Sequence, residues 1–176
     1  MNVTAPMIPF GVKPKPAAVL VPVIARRGEL TVLLTQRTDH MSSHAGQVAF
    51  PGGRIDAGDK SVVDAALREA AEETGLDRSF VEPLGYLDAY LTVTAFHVVP
   101  VVALVRPGFV IRPHAGEVSA VFEVPLSFLM SPQNHETHSR EWQGRQRYYY
   151  AMPFGERYIW GATAGMIRNL YDRLYA

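Results

Sequence analysis

The sequence predicts an α/β fold in which a mixed sheet lies between helices. Three observations predict it: short apolar runs recur between turn residues, a central segment has helical periodicity with marked ends, and the end of the chain has helical spacing again. The 176 residues, 48% hydrophobic and 19% charged, suit one compact domain with its own core. Since no internal repeat or long linker divides the chain, we expect a single domain over residues 1–176.

The first predicted elements are an arm and a hairpin. Residues 1–16 are rich in proline and glycine, which predicts an irregular arm. Residues 19–24 and 30–35 are apolar runs of strand length around a turn that contains Gly28, so they predict two antiparallel strands. Lysines before the first run give it a superficial likeness to a signal peptide, but the run is short and contains Pro22, which favours a strand.

The central element is a helix between Ser61 and Gly75. Ser61 followed by Asp64 is typical of a helix N-terminus, and Gly75 is placed to end the helix in a left-handed conformation. The stripe expected to face the core comprises Val63, Ala66, Leu67, Ala70 and Thr74.

Three strands, a hairpin and a final helix are predicted after it. The strands are expected at residues 84–89, 98–105 and 118–124, the hairpin at 148–152 with 157–160, and the helix from 162 onward. Pro100 cannot donate a ladder hydrogen bond, which predicts an irregularity or a sheet edge there. The helical spacing at the end of the chain is set by Met166, Ile167, Leu170 and Leu174.

Three carboxylates share one face of the central helix. Glu69, Glu72 and Glu73 are spaced i, i+3 and i+4, so their side chains are expected to project outward from adjacent turns. Arg68, four residues before Glu72, offsets only part of their repulsion. Such a face suits a hard divalent cation, and Mg²⁺ typically takes carboxylates together with substrate phosphates. The acids alone are better explained as a solvated face; their fixed distances from a preceding Gly-Gly turn and a following glycine favour the cation site.

Residues 53–76 resemble the Nudix box, Gly-x5-Glu-x7-Arg-Glu-U-x-Glu-Glu-x-Gly-U, where U is aliphatic. The helix half matches from Arg68 to Leu76, with Ala70 at its aliphatic position. The loop half departs from the motif, because Asp59 replaces the first Glu and eight residues rather than seven separate it from Arg68. The resemblance implies a Nudix fold, an α/β/α sandwich with a mixed central sheet, and metal-dependent hydrolysis of a pyrophosphate bond.

A second string precedes the box. Residues 33–37 (Leu-Leu-Thr-Gln-Arg) and 44–53 (His-Ala-Gly-Gln-Val-Ala-Phe-Pro-Gly-Gly) resemble the signature of the coenzyme A pyrophosphatase branch of Nudix hydrolases. Thr38 replaces a small residue of that signature, and Ser42 stands where its second Arg is found. The resemblance implies coenzyme A or an acyl derivative as substrate, cleaved to adenosine 3′,5′-bisphosphate and 4′-phosphopantetheine or its acyl form.

The resemblance also implies roles for individual residues. Glu69, Glu72 and Glu73 are expected to hold Mg²⁺ or Mn²⁺, with one of them or Glu117 as general base. Arg68 is expected to orient a glutamate through a charge-assisted hydrogen bond. The expected substrate-binding residues are Arg37, His44, Gly52, Gly53 and Arg54.

Two other features leave alternatives open. Glu117 begins a predicted strand, where a carboxylate is usually only a surface residue, although functional sites often draw on loops. His135 and His138 lie in an arginine-rich segment, and two histidines without a third ligand nearby are a weak zinc signal. We therefore expect residues 135–147 to form a solvated loop.

Composition narrows the classes of function. Equal numbers of basic and acidic residues, 17 of each, leave no basic field for nonspecific nucleic-acid binding. The absence of cysteine excludes disulfides, thiolate metal sites and a catalytic thiol. No apolar run is long enough to span a membrane, so a cytoplasmic protein acting on a small nucleotide substrate is expected, with a homodimer left open.

Two other functions stay open beside the leading hypothesis. One keeps the chemistry and changes the substrate to ADP-ribose or another nucleoside diphosphate conjugate. The other is a Nudix-fold ligand sensor without turnover, which loss of the helix carboxylates would have favoured; their presence argues against it.

Overall fold

The computed structural model describes residues 11–40, 45–142 and 144–175. Its strands are β1 (Lys15–Arg26), β2 (Glu29–Arg37), β3 (Val48–Ala49), β4 (Gly52–Arg54), β5 (Val81–Tyr86), β6 (Tyr90–Leu91), β7 (Phe96–Val105), β8 (Val118–Pro125), β9 (Glu136–Trp142), β10 (Arg145–Phe154) and β11 (Arg157–Trp160). Its α-helices are α1 (Val62–Thr74), α2 (Leu126–Leu129) and α3 (Gly161–Tyr175), with 3₁₀ turns at Arg78–Phe80 and Pro132–Asn134.

The predicted first hairpin is confirmed. β1 and β2 pair antiparallel up to Arg26 and Glu29, so Arg27 and Gly28 form a two-residue turn. Gly28 has φ +84, a left-handed conformation that glycine adopts without steric cost. β1 already begins at Lys15, earlier than the apolar pattern suggested, because its first residues pair with β7.

A large mixed sheet forms the centre of the fold. Its strand order is β3-β2-β1-β7-β5, with β4 beside β1, β6 beside β7 and β8 beside β2. β1 and β7 run parallel over ten residue pairs from Lys15↔Phe96 to Ile24↔Val105, whereas the other described pairs of this sheet are antiparallel. A separate three-stranded antiparallel sheet has the order β11-β10-β9.

The large sheet separates two cores. α1 covers one face, where the buried side chains include Leu20, Leu33, Ala66, Leu76 and Val101. α3 and the three-stranded sheet cover the other face, where they include Val21, Leu34, Met152, Ile159 and Ile167. The predicted helix–sheet–helix layering is therefore confirmed, with the small sheet added to the α3 layer.

The strand pattern after α1 was predicted less accurately. The strand expected at residues 84–89 is β5, which begins three residues earlier, at Val81. Its register shifts between Pro83 and Gly85, and the intervening Leu84 is 61% exposed, so the apolar pattern did not mark the inward face. Pro100 lies inside the interior strand β7, at the break between β5 and β6, and its carbonyl accepts a hydrogen bond from Leu87 N–H at 3.0 Å. Of the two alternatives, the irregularity is confirmed and the edge is wrong.

The late part of the chain contains one further correction. The solvated loop expected at residues 135–147 is wrong, because most of it forms β9 and the start of β10. Side chains of β10 and β11 on one face reach the core, which makes this hairpin a stable template for a third strand. α3 buries Met166, Ile167 and Leu170 as expected, whereas Leu174 is 56% exposed. In the described part of the chain, no helix is long and apolar enough to cross a membrane.

Candidate active site

The site forms where β1 and β2 separate. β1 pairs with β2 only from Val23 onward, and before that its neighbour is β4, with Val19 opposite Gly52. β3 pairs instead with the outgoing end of β2, so the chain reverses direction between Ala49 and Gly52. Leu20 N–H donates to the carbonyl of Pro51 at 2.8 Å and fixes this reversal to the sheet. The Gly52–Gly53 pair is thereby held at the split, under α1.

Both ends of α1 are formed as predicted. Ser61 Oγ accepts a hydrogen bond from Asp64 N–H at 3.1 Å. Gly75 has φ +72 and donates to the carbonyl of Ala71 at 2.8 Å, which ends the helix. The predicted stripe is buried at Ala66, Leu67, Ala70 and Thr74, and Val63 packs at its margin.

The three helix carboxylates differ in exposure. The side chain of Glu72 is 60% exposed, that of Glu69 17%, and that of Glu73 6%. The expectation that all three acids project outward is therefore wrong for Glu73. Spacing along the helix placed it on the acidic face, but the reversed segment before β4 covers that edge of the helix.

Glu73 is a buried carboxylate with two polar neighbours. Its Oε2 accepts a hydrogen bond from Gly52 N–H at 3.2 Å, and its Oε1 lies 3.8 Å from Arg37 Nη1. Burial raises the pKa of Glu73 from its usual 4.5 to about 7, although Gly52 and Arg37 both oppose the shift. Glu73 is therefore placed to exchange a proton near neutral pH.

Glu69 lies against the backbone of Gly53. A Cβ on Gly53 would come within 2.5 Å of the Glu69 carboxylate, so the close approach requires glycine. Burial raises the pKa of Glu69, while the hydrogen bond and charge of Arg68 oppose this. The backbone of Gly53 thus packs directly against the carboxylate of the half-buried Glu69.

Arg68 connects the loop half of the Nudix-box segment to its helix half. Its Nη1 donates to Glu69 Oε1 at 3.0 Å and to Glu72 Oε2 at 3.3 Å. Its Nε and Nη2 donate to Asp59 at 2.8 and 2.9 Å, and Nη2 also donates to the carbonyl of Arg54 at 3.1 Å. The two hydrogen bonds from Arg68 to Asp59 lower the pKa of Asp59 to about 2, with a further contribution from the N–H of Asp56. Asp59 was identified by sequence only as a departure from the motif.

Glu117 lies in a loop that borders Glu73. His114 N–H donates to the carbonyl of Glu73 at 2.9 Å, and Glu117 N–H donates to the carbonyl of His114, also at 2.9 Å. The carbonyl of Glu117 accepts from Thr38 N–H at 3.0 Å, which brings this loop to the end of β2. The Glu117 side chain is 48% exposed, and its charge contributes to the raised pKa of Glu73.

Four of the five expected substrate-binding residues belong to the described part of the chain. Gly52, Gly53 and Arg37 lie directly beside the glutamates. Arg54 is exposed and its guanidinium carbon lies 5.7 Å from the centre of the Phe96 ring. His44 lies outside the described residues.

Sequence reasoning missed two neighbours of Arg54. Lys15 and Phe96 meet through the parallel pairing of β1 with β7, which joins residues 81 positions apart. A local sequence pattern carries no signal for that pairing, because it is fixed by the register of non-adjacent strands.

The donor set fits a hard divalent cation in its chemistry. Glu69, Glu72 and Glu73 supply carboxylate oxygens, and the missing side chain of Gly53 lets the Glu69 carboxylate lie against the backbone. Among the described residues, no three histidine, aspartate or glutamate side chains already converge as a metal cluster. Arg68 instead engages Glu69 and Glu72, while Glu73 faces Gly52 and Arg37.

Solved structures with a similar fold come from several organisms. The NUDIX domain of Shewanella oneidensis NrtR, solved in complex with ADP ribose, aligns with a TM-score of 0.56 at 22% identity, over 94% of this chain and 90% of that one. A C. elegans Ap4A hydrolase in a binary complex aligns with a TM-score of 0.54 at 20% identity, over 63% of this chain and 80% of that one. At these identities the likeness concerns the fold.

Sequence comparisons identify the family. The model of the NUDIX domain matches residues 14–157. The NudL proteins of Escherichia coli O1:K1 / APEC and Shigella boydii serotype 18, each described as an uncharacterized Nudix hydrolase, are 43% identical to this chain over 154 residues, which is 88% of this chain and 80% of theirs. The chain therefore belongs to the Nudix hydrolase family.

Proposed function

We propose that this protein hydrolyses the pyrophosphate bond of coenzyme A or its acyl derivatives, giving adenosine 3′,5′-bisphosphate and 4′-phosphopantetheine or its acyl form. The observation that carries the proposal is the contact of Glu73 with Gly52 and Arg37. This contact joins α1 to both segments, residues 33–37 and 44–53, that resemble the coenzyme A pyrophosphatase signature. Arg37 and Gly52, which belong to the segments that resemble the substrate signature, therefore lie beside one of the carboxylates that resemble the metal site.

Glu69, Glu72 and Glu73 would hold Mg²⁺ or Mn²⁺. When bound, the ion supplies charge neutralisation at the phosphate oxygens and makes a ligated water more acidic. A cation would compete with Arg68 for the oxygens of Glu69 and Glu72, because Arg68 donates to one oxygen of each. Competition of this kind weakens metal affinity but keeps the ligands in place near the backbone of Gly53.

Proton transfer requires a base that is partly ionised at neutral pH. Glu73 has this property, since burial raises its pKa to about 7. Glu117 is the second candidate, because its loop is hydrogen-bonded to the Glu73 backbone through His114 and its side chain is accessible. The remaining chain groups position these acids: Arg68 orients Glu69 and Glu72, and Arg37 places a positive charge 3.8 Å from Glu73.

A substrate panel tests the proposal directly. Purified protein is incubated with Mg²⁺ or Mn²⁺ and, separately, coenzyme A, acetyl-coenzyme A, ADP-ribose, NADH and diadenosine polyphosphates, and the products are resolved by chromatography. We expect coenzyme A and its acyl form to be cleaved with the highest kcat/KM. A Glu73→Gln preparation serves as the control for contaminating hydrolases.

The panel also separates the alternatives. Cleavage of ADP-ribose with coenzyme A untouched would reject the substrate assignment and retain the chemistry; the ADP-ribose-bound NrtR domain is the reason to include that compound. Binding of a panel member without cleavage of any would reject the enzyme and favour a ligand sensor.

A further inference from the structure

Two cations flank one aromatic ring beside the active site. Lys15 Nζ lies 5.8 Å from the centre of the Phe96 ring, and the guanidinium carbon of Arg54 lies 5.7 Å from it. The strand register fixes this arrangement, because Lys15 is paired with Phe96 across β1 and β7, and Ala17 is paired with Arg54 across β1 and β4. The cluster is therefore built on three neighbouring strands rather than on one flexible loop.

The charges of this cluster are not balanced locally. Lys15 and Arg54 are exposed, Phe96 is half-buried, and neither cation forms an ion pair with an acidic side chain in the described part of the chain. The attraction of each cation to the ring face is modest, about 0.5–1 kcal/mol at an exposed site. Two like charges near one ring therefore favour a bound anion beside them.

Hydrogen bonds fix the backbone of the loop that precedes Phe96. Ala95 has φ +60, an uncommon conformation for a residue other than glycine. Its carbonyl accepts from Lys15 N–H at 2.8 Å, and Phe96 N–H donates to Thr92 Oγ1 at 3.0 Å. These hydrogen bonds link the backbone of Lys15 to the loop that carries Phe96.

The cluster is directly connected to the catalytic carboxylates. Arg54 follows Gly53, whose backbone lies against Glu69. The carbonyl of Arg54 accepts a hydrogen bond from Arg68, and Arg68 also donates to Glu69. Because successive residues of a strand point to opposite faces, the Arg54 side chain leaves β4 on the side away from Glu69. Arg54 and the carboxylates are thus at the same end of β4 but on opposite faces, so the cluster would contact a part of the substrate that extends past this strand from the carboxylates.

We propose that Lys15 and Arg54 bind a phosphate monoester on the nucleoside part of the substrate, separate from the pyrophosphate that is cleaved. This inference rests on the proposed function, in which the substrate carries a 3′-phosphate. Such a group has about −1.5 to −2 charges at neutral pH, which two cations can neutralise. The site would select nucleotides with this phosphate over those without it. The competing explanation is that both side chains only cover Phe96 with their aliphatic stems.

Nucleotide binding tests this subsite without turnover. Isothermal titration calorimetry at fixed ionic strength, with Mg²⁺ present, compares adenosine 3′,5′-bisphosphate with AMP. We expect wild-type protein to prefer the bisphosphate by about tenfold or more, as expected for a lost charge-assisted hydrogen bond. Replacing both cations, Lys15→Gln with Arg54→Gln, keeps the aliphatic stems and should reduce the preference to about onefold to twofold. Arg27→Gln, in the exposed β1–β2 turn, removes one charge elsewhere and should leave the preference unchanged.

The outcomes separate this inference from the proposed function. The subsite would be overturned if wild-type protein bound the bisphosphate and AMP equally, or if it did not bind the bisphosphate measurably. It would also be overturned if Arg27→Gln reduced the preference for the bisphosphate as much as the double variant does. Preferential binding of the bisphosphate without cleavage of coenzyme A would keep the subsite and reject the proposed reaction. If coenzyme A is cleaved, the KM ratio of dephospho-coenzyme A to coenzyme A should fall in the double variant in parallel with the binding ratio.

Discussion

Arg68 holds Asp59 through two parallel hydrogen bonds, from Nε at 2.8 Å and from Nη2 at 2.9 Å. The Asp59 side chain is 4% exposed and that of Arg68 28%, so the carboxylate is the shielded partner of this pair between a loop and a helix. Asp59 and the extra loop residue are the two departures from the Nudix box, yet together they still place a carboxylate on Arg68. The same guanidinium reaches Glu69 and Glu72, so the loop contributes to the position of the acids.

Asp59→Asn should weaken both the fold and the activity. The change removes the charge that orients Arg68, and loss of a group that positions active-site ligands typically costs about 10–100-fold in activity. Chemical denaturation and steady-state kinetics measure the two effects. Asp56→Asn is the matched control, because Asp56 is 68% exposed and 3.6 Å from Arg68, and it should change both quantities less.

The stability difference at Asp59 should depend on pH in the acid range. Since the folded-state pKa of Asp59 is lowered from 3.8 to about 2, its ionised form stabilises the fold above pH 3.8, and this contribution is lost as the pH falls through about 2. The difference between wild type and Asp59→Asn should therefore be full at pH 5 and decrease toward pH 2. A difference that grows on acidification would contradict the ion pair.

Glu73→Gln should abolish most turnover and make the protein more stable. Loss of a general base typically costs about 10²–10⁴-fold. The folded-state pKa of about 7 lies above the usual 4.5, so wild-type stability is full below pH 4.5 and falls as the pH rises through 7. In chelator above pH 8, the variant should gain roughly 3 kcal/mol in free energy of unfolding, and near pH 4 nothing. Glu72→Gln, at a 60% exposed site, is the control and should leave stability nearly unchanged.

The two glycines of the reversal should respond differently to alanine. At Gly52 a Cβ would lie 2.6 Å from the Cα of Val19, and backbone cannot move aside, so Gly52→Ala should lower the free energy of unfolding by about 2 kcal/mol or more. At Gly53 it would meet the end of the Glu69 side chain, which can rotate. Gly53→Ala should therefore cost about 1 kcal/mol or less but reduce kcat/KM by about 10²-fold, because Glu69 is displaced.

Gly58→Ala is the control for both glycine variants. A Cβ there meets no atom within 4 Å, and Gly58 does not have a left-handed φ, so neither stability nor kcat/KM should fall. Equal losses in Gly52→Ala and Gly53→Ala would show that Gly53 supports the fold rather than the position of Glu69.

Arg37→Gln should move the acid limb of the pH–rate profile to higher pH. The Arg37 charge opposes the upward shift in the pKa of Glu73, so removing it should raise that pKa further and reduce the ionised fraction at pH 7. Arg37→Lys keeps the charge and should retain the wild-type limb. The pH dependence of kcat/KM is the measurement, and an unchanged limb in Arg37→Gln would exclude Glu73 as the titrating base.

Local patterns predicted those elements whose formation depends on neighbours in sequence. The start and end of α1 follow from Ser61 and Gly75, since capping involves residues within one turn. The turn at Gly28 and the hairpin it joins follow for the same reason. The strand β9 was missed, because its polar sequence forms a strand only through pairing with β10.

The sequence by itself determined the family resemblance, the order of most elements and the identity of the acidic face on α1. Only the tertiary structure decided that Glu73 is buried while Glu72 is exposed, that Asp59 reaches Arg68, and that Lys15 and Phe96 lie beside Arg54. Helical periodicity fixes the direction of a side chain from its helix, but burial and pKa depend on which distant strand covers it. That covering is set by the split between β1 and β2 and by the parallel register of β1 with β7, which span the chain from residue 15 to 105.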